Sequence, residues 1–200
     1  MNSAFNRKTQ QQETSSKLVV AFEKMSEVLR VLLWEKATAH KLSPIQIQIL
    51  IFLKNHEDGL ARPAALANEL NVTRPTISDA IKALQKKELI EARKDPKDSR
   101  SRILSLSIEG EALTQELEQF AKPLQEKLAE ISDEDQSAIL ERMMALLDSL
   151  STAGVINPQR MCYNCAHYQG DKKQEHHCLF LKKQLSDASL RIDCPEHQAA

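Results

Sequence analysis

The densest concentration of reactive side chains lies near the C-terminal end. Cys162 and Cys165 form a C-x-x-C pair, Cys178 follows after twelve residues and Cys194 after fifteen more. His167, His176, His177 and His197 are interspersed, and the chain has no other cysteines. Two thiolates at C-x-x-C spacing can chelate one ion, and two more complete a tetrahedral set. In a reducing compartment such a cluster binds metal more often than it forms structural disulfides. Cys162, Cys165, Cys178 and Cys194 are therefore the candidate metal ligands. Zn2+ stands slightly ahead, by base rate and by the nearby imidazoles. An iron–sulfur cluster competes: Cys178 and Cys194 are isolated rather than paired, and Cys194-Pro195 is a dipeptide that closes some cluster motifs. Four unligated thiols remain a third reading. No βαβ pattern surrounds the C-x-x-C, which counts against a thioredoxin-like redox centre. Leu179, Leu181, Leu185 and Leu190 predict a short helix packed on the site. A unit this small buries little apolar surface, so a metal would supply its folding energy.

A second set of residues with usable chemistry sits mid-chain. The sequence predicts a helix over 63–70, a two-residue turn at Asn71-Val72, and a helix over 73–87 capped by Thr73 with Pro75 in its first turn. The exposed N-terminal end of the second helix offers Arg74, Thr76, Ser78 and Asp79, while Ile77, Ile81 and Leu84 face a core. Arg74 can reach a guanine edge or a phosphate, and Thr76 and Ser78 can donate to phosphate or touch a base. Two β-type segments follow, Leu89 to Arg93 and Arg102 to Ser107, around a charged tip over 94–101. A helix-turn-helix with a hairpin behind it is a winged helix, whose second helix fits the major groove of double-stranded DNA. Between Arg62 and Arg102 there are ten Lys or Arg against six Asp or Glu, a net charge of +4. The whole chain is close to neutral, with 27 basic and 28 acidic residues. Phosphate neutralisation supplies much of the affinity for DNA, so a local basic excess points to that partner.

These side chains need a frame of long helices. Glu13 to His40 reads as one helix in which Leu18, Phe22, Met25, Leu29 and Leu32 step as a heptad seam, suited either to a core or to a second copy of the chain. Ser43 and Pro44 open the next helix, which carries Ile45, Ile47, Ile49, Leu50 and Leu53. Leu60 is a candidate one-residue strand. Ser107 caps a helix with a stripe from Leu113 to Ile131 that Pro123 should kink. Ser132 or Asp133 caps the last helix, with Ile139, Met143, Leu146 and Leu150 on one face. The organisation is then 1–12 disordered, 13–150 a winged-helix and dimerisation domain with its helix-turn-helix at 63–87 and wing at 89–107, 151–159 a linker, and 160–200 a Cys-rich metal-binding tail. The fold class is mainly α with a small β-hairpin wing. With 4 Gly, 7 Pro and 4% aromatics, a large β-sandwich or glycine-rich nucleotide site is disfavoured. The polar N-terminus lacks the apolar core of a signal peptide and no stretch is long enough to span a bilayer, so no membrane partner and a cytoplasmic location are expected.

Residues 43–113 resemble the MarR family of winged-helix transcriptional regulators. The run Leu66-Ala67-Asn68-Glu69-Leu70-Asn71-Val72-Thr73-Arg74-Pro75-Thr76-Ile77-Ser78 is similar to the family's recognition-helix region. Leu84-Gln85-Lys86-Lys87-Glu88-Leu89-Ile90 resembles the end of that helix and the entry to the wing, and Asp95-Pro96-Lys97-Asp98-Ser99-Arg100 resembles the wing tip. Leu106-Ser107-Ile108-Glu109-Gly110 is similar to the start of the next helix. With the flanking helices the resemblance covers about residues 13–150; the cysteine tail lies outside the common pattern. The resemblance implies a homodimer on palindromic operator DNA, with Arg100 entering the minor groove, supported by Asp98, and Lys97 near phosphate. It also implies a small-molecule effector site between the DNA-binding lobes and the dimer region. Two positions depart from the family: Glu88, where Gly is usual, and Lys97, where Arg is commoner. If residue 88 is left-handed, Glu there costs about 1 kcal/mol.

The function expected is thus transcriptional regulation by DNA binding, read as repression and modulated by a ligand, metal or redox state. The alternative is a thiol- or metal-dependent redox or metal-handling protein using the tail. An enzyme is not expected, because residues 1–150 hold no nucleophile elbow, H-E-x-x-H or P-loop.

Overall fold

The computed structural model describes residues 3–57, 59–96, 101–173 and 175–200. The N-terminal dozen, expected to be disordered, carries helix α1 (Arg7–Gln12), capped by Asn6, whose side chain accepts from the Lys8 amide at 2.9 Å. Helix α2 spans Thr14–Ala39 and ends at Lys41 in the left-handed region, where the Leu42 amide returns to the Ala37 carbonyl at 2.9 Å. That backward bond satisfies a carbonyl the helix end would otherwise leave open. Helix α3 (Pro44–Asn55) starts with proline at its head, and Gln46 accepts the Ser43 amide at 2.9 Å. Ile47, Ile49 and Leu50 on α3 are fully buried.

Helices α4 (Pro63–Glu69) and α5 (Arg74–Lys86) form the helix-turn-helix. Strands β1 (Ile90–Lys94) and β2 (Arg102–Leu106) pair antiparallel, with Ile90 opposite Leu106 and Lys94 opposite Arg102. The single strand-like contact expected at Leu60 falls one residue on, where the Leu104 amide donates to the Ala61 carbonyl at 2.8 Å. Leu66, Ile77 and Leu84 join Leu104 and the α3 residues in one apolar core.

Ser107 caps α6 (Ile108–Leu117), accepting the Gly110 amide at 2.9 Å while its hydroxyl donates to the Glu88 carbonyl at 2.7 Å. Gly110 is needed here: a Cβ would stand 1.9 Å from the Leu89 carbonyl oxygen. The kink expected at Pro123 is a full break. The chain tightens into a 3-10 turn over Glu118–Ala121, and Pro123 sits in the first turn of a new helix, α7 (Lys122–Leu128). Proline has no N–H to continue the ladder and its ring clashes with the carbonyl four residues earlier, so the helix restarts around it. Helix α8 (Asp133–Thr152) is capped by Ser132, which accepts from the Asp135 amide.

The tail is β-rich rather than helical. After a 3-10 turn at Cys162–Asn164, strands β3 (Tyr168–Gly170), β4 (His176–Cys178) and β5 (Lys183–Leu185) form an antiparallel ribbon in chain order. The short helix expected from the leucines is replaced by this ribbon, because Lys182 at φ 53° turns the chain between β4 and β5. Leu185 and Leu190 are buried with Met161, Tyr163 and Cys162 against Met144 of α8. On α8 the side facing the tail therefore includes Leu140, Met144 and Leu147, while Ile139 and Leu146 of the expected face remain exposed. Among the described residues no helix is long and apolar enough to cross a membrane.

Candidate nucleic-acid interface and cysteine centre

The turn of the helix-turn-helix is set by Asn71. It lies at φ 51°, and the Val72 amide reaches back to the Ala67 carbonyl at 3.1 Å, which ends α4 and reorients the chain within two residues. Asparagine tolerates this left-handed conformation better than most residues. Thr73 then caps α5, its hydroxyl accepting the Thr76 amide at 3.3 Å. The apolar side of α5 (Ile77, Ala80, Ile81 and Leu84) is buried, which leaves Arg74, Thr76 and Asp79 exposed and Ser78 half-buried. The Thr76 hydroxyl lies 2.8 Å from that of Thr73, so one of its hydrogen-bonding positions is engaged within the helix start. Asp79 pairs with Lys82 at 3.3 Å on the same surface. Lys97, Asp98 and Arg100, the wing-tip candidates, lie outside the described residues.

Sequence reasoning missed how the wing is anchored. Arg62 and Asp95 enter the charge count as two ordinary surface charges, yet the Arg62 guanidinium donates twice to Asp95 Oδ2, at 2.9 and 2.7 Å, and once to the Gly59 carbonyl at 2.8 Å. The Asp95 side chain is only 3% exposed. A buried carboxylate requires such a charge-assisted partner, so this pair fixes the base of the wing against the start of α4. One of the ten basic side chains is thus structural. The signal that could have found it is an acid next to a proline in a turn, preceded by an arginine at a helix start, and that is too common a pattern to decide anything.

In the tail, Cys162, Cys165, Cys178 and Cys194 line a single cavity of about 20 Å3 together with His167, Tyr168, Phe180 and Leu185. Cys162 and Cys165 come from the 3-10 turn and its exit, Cys178 ends β4, and Cys194 approaches from the C-terminal loop. Arg191 holds two of them: its amide donates to Cys162 Sγ at 3.3 Å and its guanidinium lies 3.6 Å from Cys194 Sγ. Burial pushes the Cys162 thiol above the ordinary range, opposed by the Arg191 amide, and Cys194, Cys178 and Cys165 all add to the rise. Two of the imidazoles are engaged away from the thiols, and a third stands on the cavity wall. His176 Nδ1 is 2.7 Å from the Tyr168 hydroxyl, His197 is 3.0 Å from Asn164 Oδ1, and His167 packs against Phe180. Among the described residues no three His, Cys, Asp or Glu side chains are close enough together to hold a single metal ion.

Tail and lobe are joined by specific bonds. Asn157 donates its amide to Asn71 Oδ1 at 2.8 Å and its side-chain nitrogen to the Asn68 carbonyl at 2.9 Å. The segment expected to be a bare linker therefore rests on the turn of the helix-turn-helix. His56 Nε2 lies 2.7 Å from Asp193, beside Cys194, and Arg160 reaches the same carboxylate at 3.3 Å.

Residues 40–101 match the family model described as MarR family. Over that stretch, which takes in the helix-turn-helix and the first strand of the wing, the chain is similar to the MarR family. Solved structures agree on the fold. Staphylococcus aureus MepR in complex with DNA is 22% identical, with a TM-score of 0.59 over 66% of this chain and 97% of that one. The same protein in its DNA-binding conformation gives a TM-score of 0.61 at 22% identity, over 66% of this chain and 98% of that one. A further MepR structure, described as a transcription regulator of the multidrug efflux pump MepA, gives 0.50 at 22% identity, over 65% of this chain and 96% of that one. No curated protein matches the chain. The MarR resemblance read from residues 43–113 thus agrees with the family match, and a mainly α fold with a hairpin wing is observed.

Proposed function

We propose that this protein is a homodimeric transcriptional regulator that binds palindromic operator DNA through α5 and the wing, and that it represses by occluding the promoter it covers. The observation that carries this reading is the presentation of α5: one side is sealed in the core, and the N-terminal end offers Arg74, Thr76 and Ser78 outward from a capped, rigid start. A helix so presented enters a major groove with its first turn against the base edges. MepR, of the same fold, has been crystallised with DNA.

The dimer follows from α2. Leu18, Phe22, Met25 and Leu29 of its heptad seam are all exposed, with Trp34 at 58% further along. A continuous apolar stripe over several turns is costly in water and is relieved by a second copy packed along it. A two-fold dimer then sets two copies of α5 against two half-sites, which is why the operator should be palindromic.

A mobility-shift assay on the DNA upstream of the protein's own gene tests this reading. A discrete retarded band that weakens steeply with salt is the expected result. Absence of a band at moderate salt, on that DNA and on a random library, would overturn it. Light scattering should give about twice 22.6 kDa, and a clean monomer at micromolar concentration would remove the dimer.

A further inference from the structure

We propose that Cys162, Cys165, Cys178 and Cys194 hold an iron–sulfur cluster, each thiolate ligating iron, rather than a single zinc ion. The inference concerns the tail alone and does not depend on the DNA-binding reading.

Three observations carry it. First, chain segments far apart in sequence bring all four thiols to one cavity. Second, the thiols surround that cavity instead of closing on a point. Zinc draws sulfur to about 2.3 Å, so four thiolates on one ion leave no room for even a water between them. The cavity here leaves about 20 Å3 of free travel for the centre of a water-sized body, a larger void than four thiolates closed on one zinc would enclose, and among the described residues no three candidate ligands stand at single-ion spacing. A cluster interposes inorganic sulfide and more than one iron, and so accepts thiolates spread around its rim. Third, the surroundings suit a cluster's charge. Tyr168, Phe180, Leu181 and Leu185 line the cavity with largely apolar surface, and Arg191 adds one cation and one amide directed at sulfur. Hydrogen bonds to the ligating sulfurs and local charge are two of the means by which proteins set cluster potentials.

Ligation removes one proton from each thiol. Cys194 now lies 3.3 Å from Glu196 as a thiol donor, and on losing that proton it leaves Glu196 its 2.6 Å contact with Arg191. The Arg191 guanidinium thereby stays tied between the carboxylate and the sulfur. His176 and His197 already have partners on the protein, and His167, on the cavity wall, packs against Phe180, so the four thiols form the ligand set.

The test is reconstitution of the reduced 200-residue chain under nitrogen with ferric iron, sulfide and excess dithiothreitol, the dithiol supplying any electrons a four-iron cluster requires, with a parallel sample given zinc alone. The expected result is a brown protein with broad visible absorption, and iron and acid-labile sulfide in equal amounts at two or four per chain. Cys178→Ser and Cys194→Ser should each lower bound iron at least tenfold while the helical circular dichroism of the lobe persists. Arg191→Gln guards against a folding artefact. It should retain iron and shift the reduction potential, titrated with dithionite, to a more negative value, because a cation that favours the added electron is gone. One equivalent of zinc held tightly with no uptake of sulfide would overturn the proposal. So would four thiols that titrate freely after reconstitution, or an Arg191→Gln protein that binds iron with an unchanged potential.

Discussion

In the winged-helix lobe, Ile47, Ile49, Leu50, Leu66, Ile77, Leu84 and Leu117 are removed from water completely, and helices α2 to α6 and both strands of the wing contribute to that one core. In the tail, the fully enclosed apolar set shrinks to Met161 with Met144 of α8, supplemented by Tyr163, Leu185 and Leu190. The lobe can therefore fold on burial alone, at about 25 cal/mol per Å2 of apolar surface. The tail has strands of three residues each and an interior whose centre is sulfur. Small units of this kind need a staple. The difference teaches where to look for regulation: if the tail holds the cluster proposed above, it is the part that would change when that group is lost.

The comparison breaks first if the lobe does not rest on its core. Leu66→Ala should lower the unfolding free energy by about 2–5 kcal/mol in denaturant melts, since it removes buried methyl groups and leaves a cavity under α4. A loss below about 1 kcal/mol would show that this core is not what holds the helix-turn-helix.

Next in size is the reading face. Arg74→Ala should weaken operator binding by about 1–3 kcal/mol while the melting temperature stays within a few degrees, because its side chain is exposed. Arg100→Ala should do the same from the wing. Titration by fluorescence anisotropy at fixed salt measures both, and unchanged affinity in the two variants would refute the docking mode.

How much of this was legible depends on whether the signal was local. The helix-turn-helix could be read because Pro63, Thr73 and Pro75 punctuate it within a few residues, and because Ile77, Ile81 and Leu84 repeat at helical spacing. The apolar periodicity of α8 was legible, but which of its sides would be covered was not, because the covering tail comes from residues 161–190. The tail strands escaped for a related reason: at three residues each they have no period to read, and only the left-handed turn at Lys182 distinguishes them from a short helix. The Arg62–Asp95 pair spans 33 positions and left only a pattern too common to single it out. For the wing tip, Lys97, Asp98 and Arg100 stand on the resemblance alone.

A sharper comparison comes from the contact between the two regions. Asn157 makes two hydrogen bonds to the turn of the helix-turn-helix, and its backbone contribution survives substitution while its side-chain bond to Asn68 does not. Asn157→Ala should therefore loosen the 153–160 segment by about 1 kcal/mol, the net value of one such bond. Limited proteolysis in that segment should accelerate about fivefold with the lobe's melt unchanged. Equal cleavage rates would mean that the segment is held by something else, such as the Asp193 contacts with His56 and Arg160.

The smallest effect concerns how the helices end. Among the described residues four helices close with the same backward bond, in which an amide reaches the carbonyl five residues earlier: Leu42 to Ala37, Val72 to Ala67, Leu89 to Leu84 and Val155 to Leu150. Each needs the residue before the donor in the left-handed region, and these are Lys41, Asn71, Glu88 and Gly154, at φ 52°, 51°, 58° and 73°. Only the helix leading to the tail has glycine there. At Glu88 the side chain is exposed and makes no contact that the motif requires, while its carbonyl accepts from Ser107 whichever residue is present. Glycine removes the clash between Cβ and the following carbonyl oxygen, worth roughly 1–2 kcal/mol, and adds back part of that as conformational entropy of the unfolded chain. Glu88→Gly should therefore stabilise the lobe by about 0.5–1 kcal/mol in denaturant melts. Gly154→Ala should show the opposite sign at the end of α8, where the same motif already has its preferred residue and no neighbouring atom would obstruct a Cβ. A Glu88→Gly protein that is no more stable than the parent would show that the α5–β1 junction gains as much from its glutamate as it loses in backbone strain.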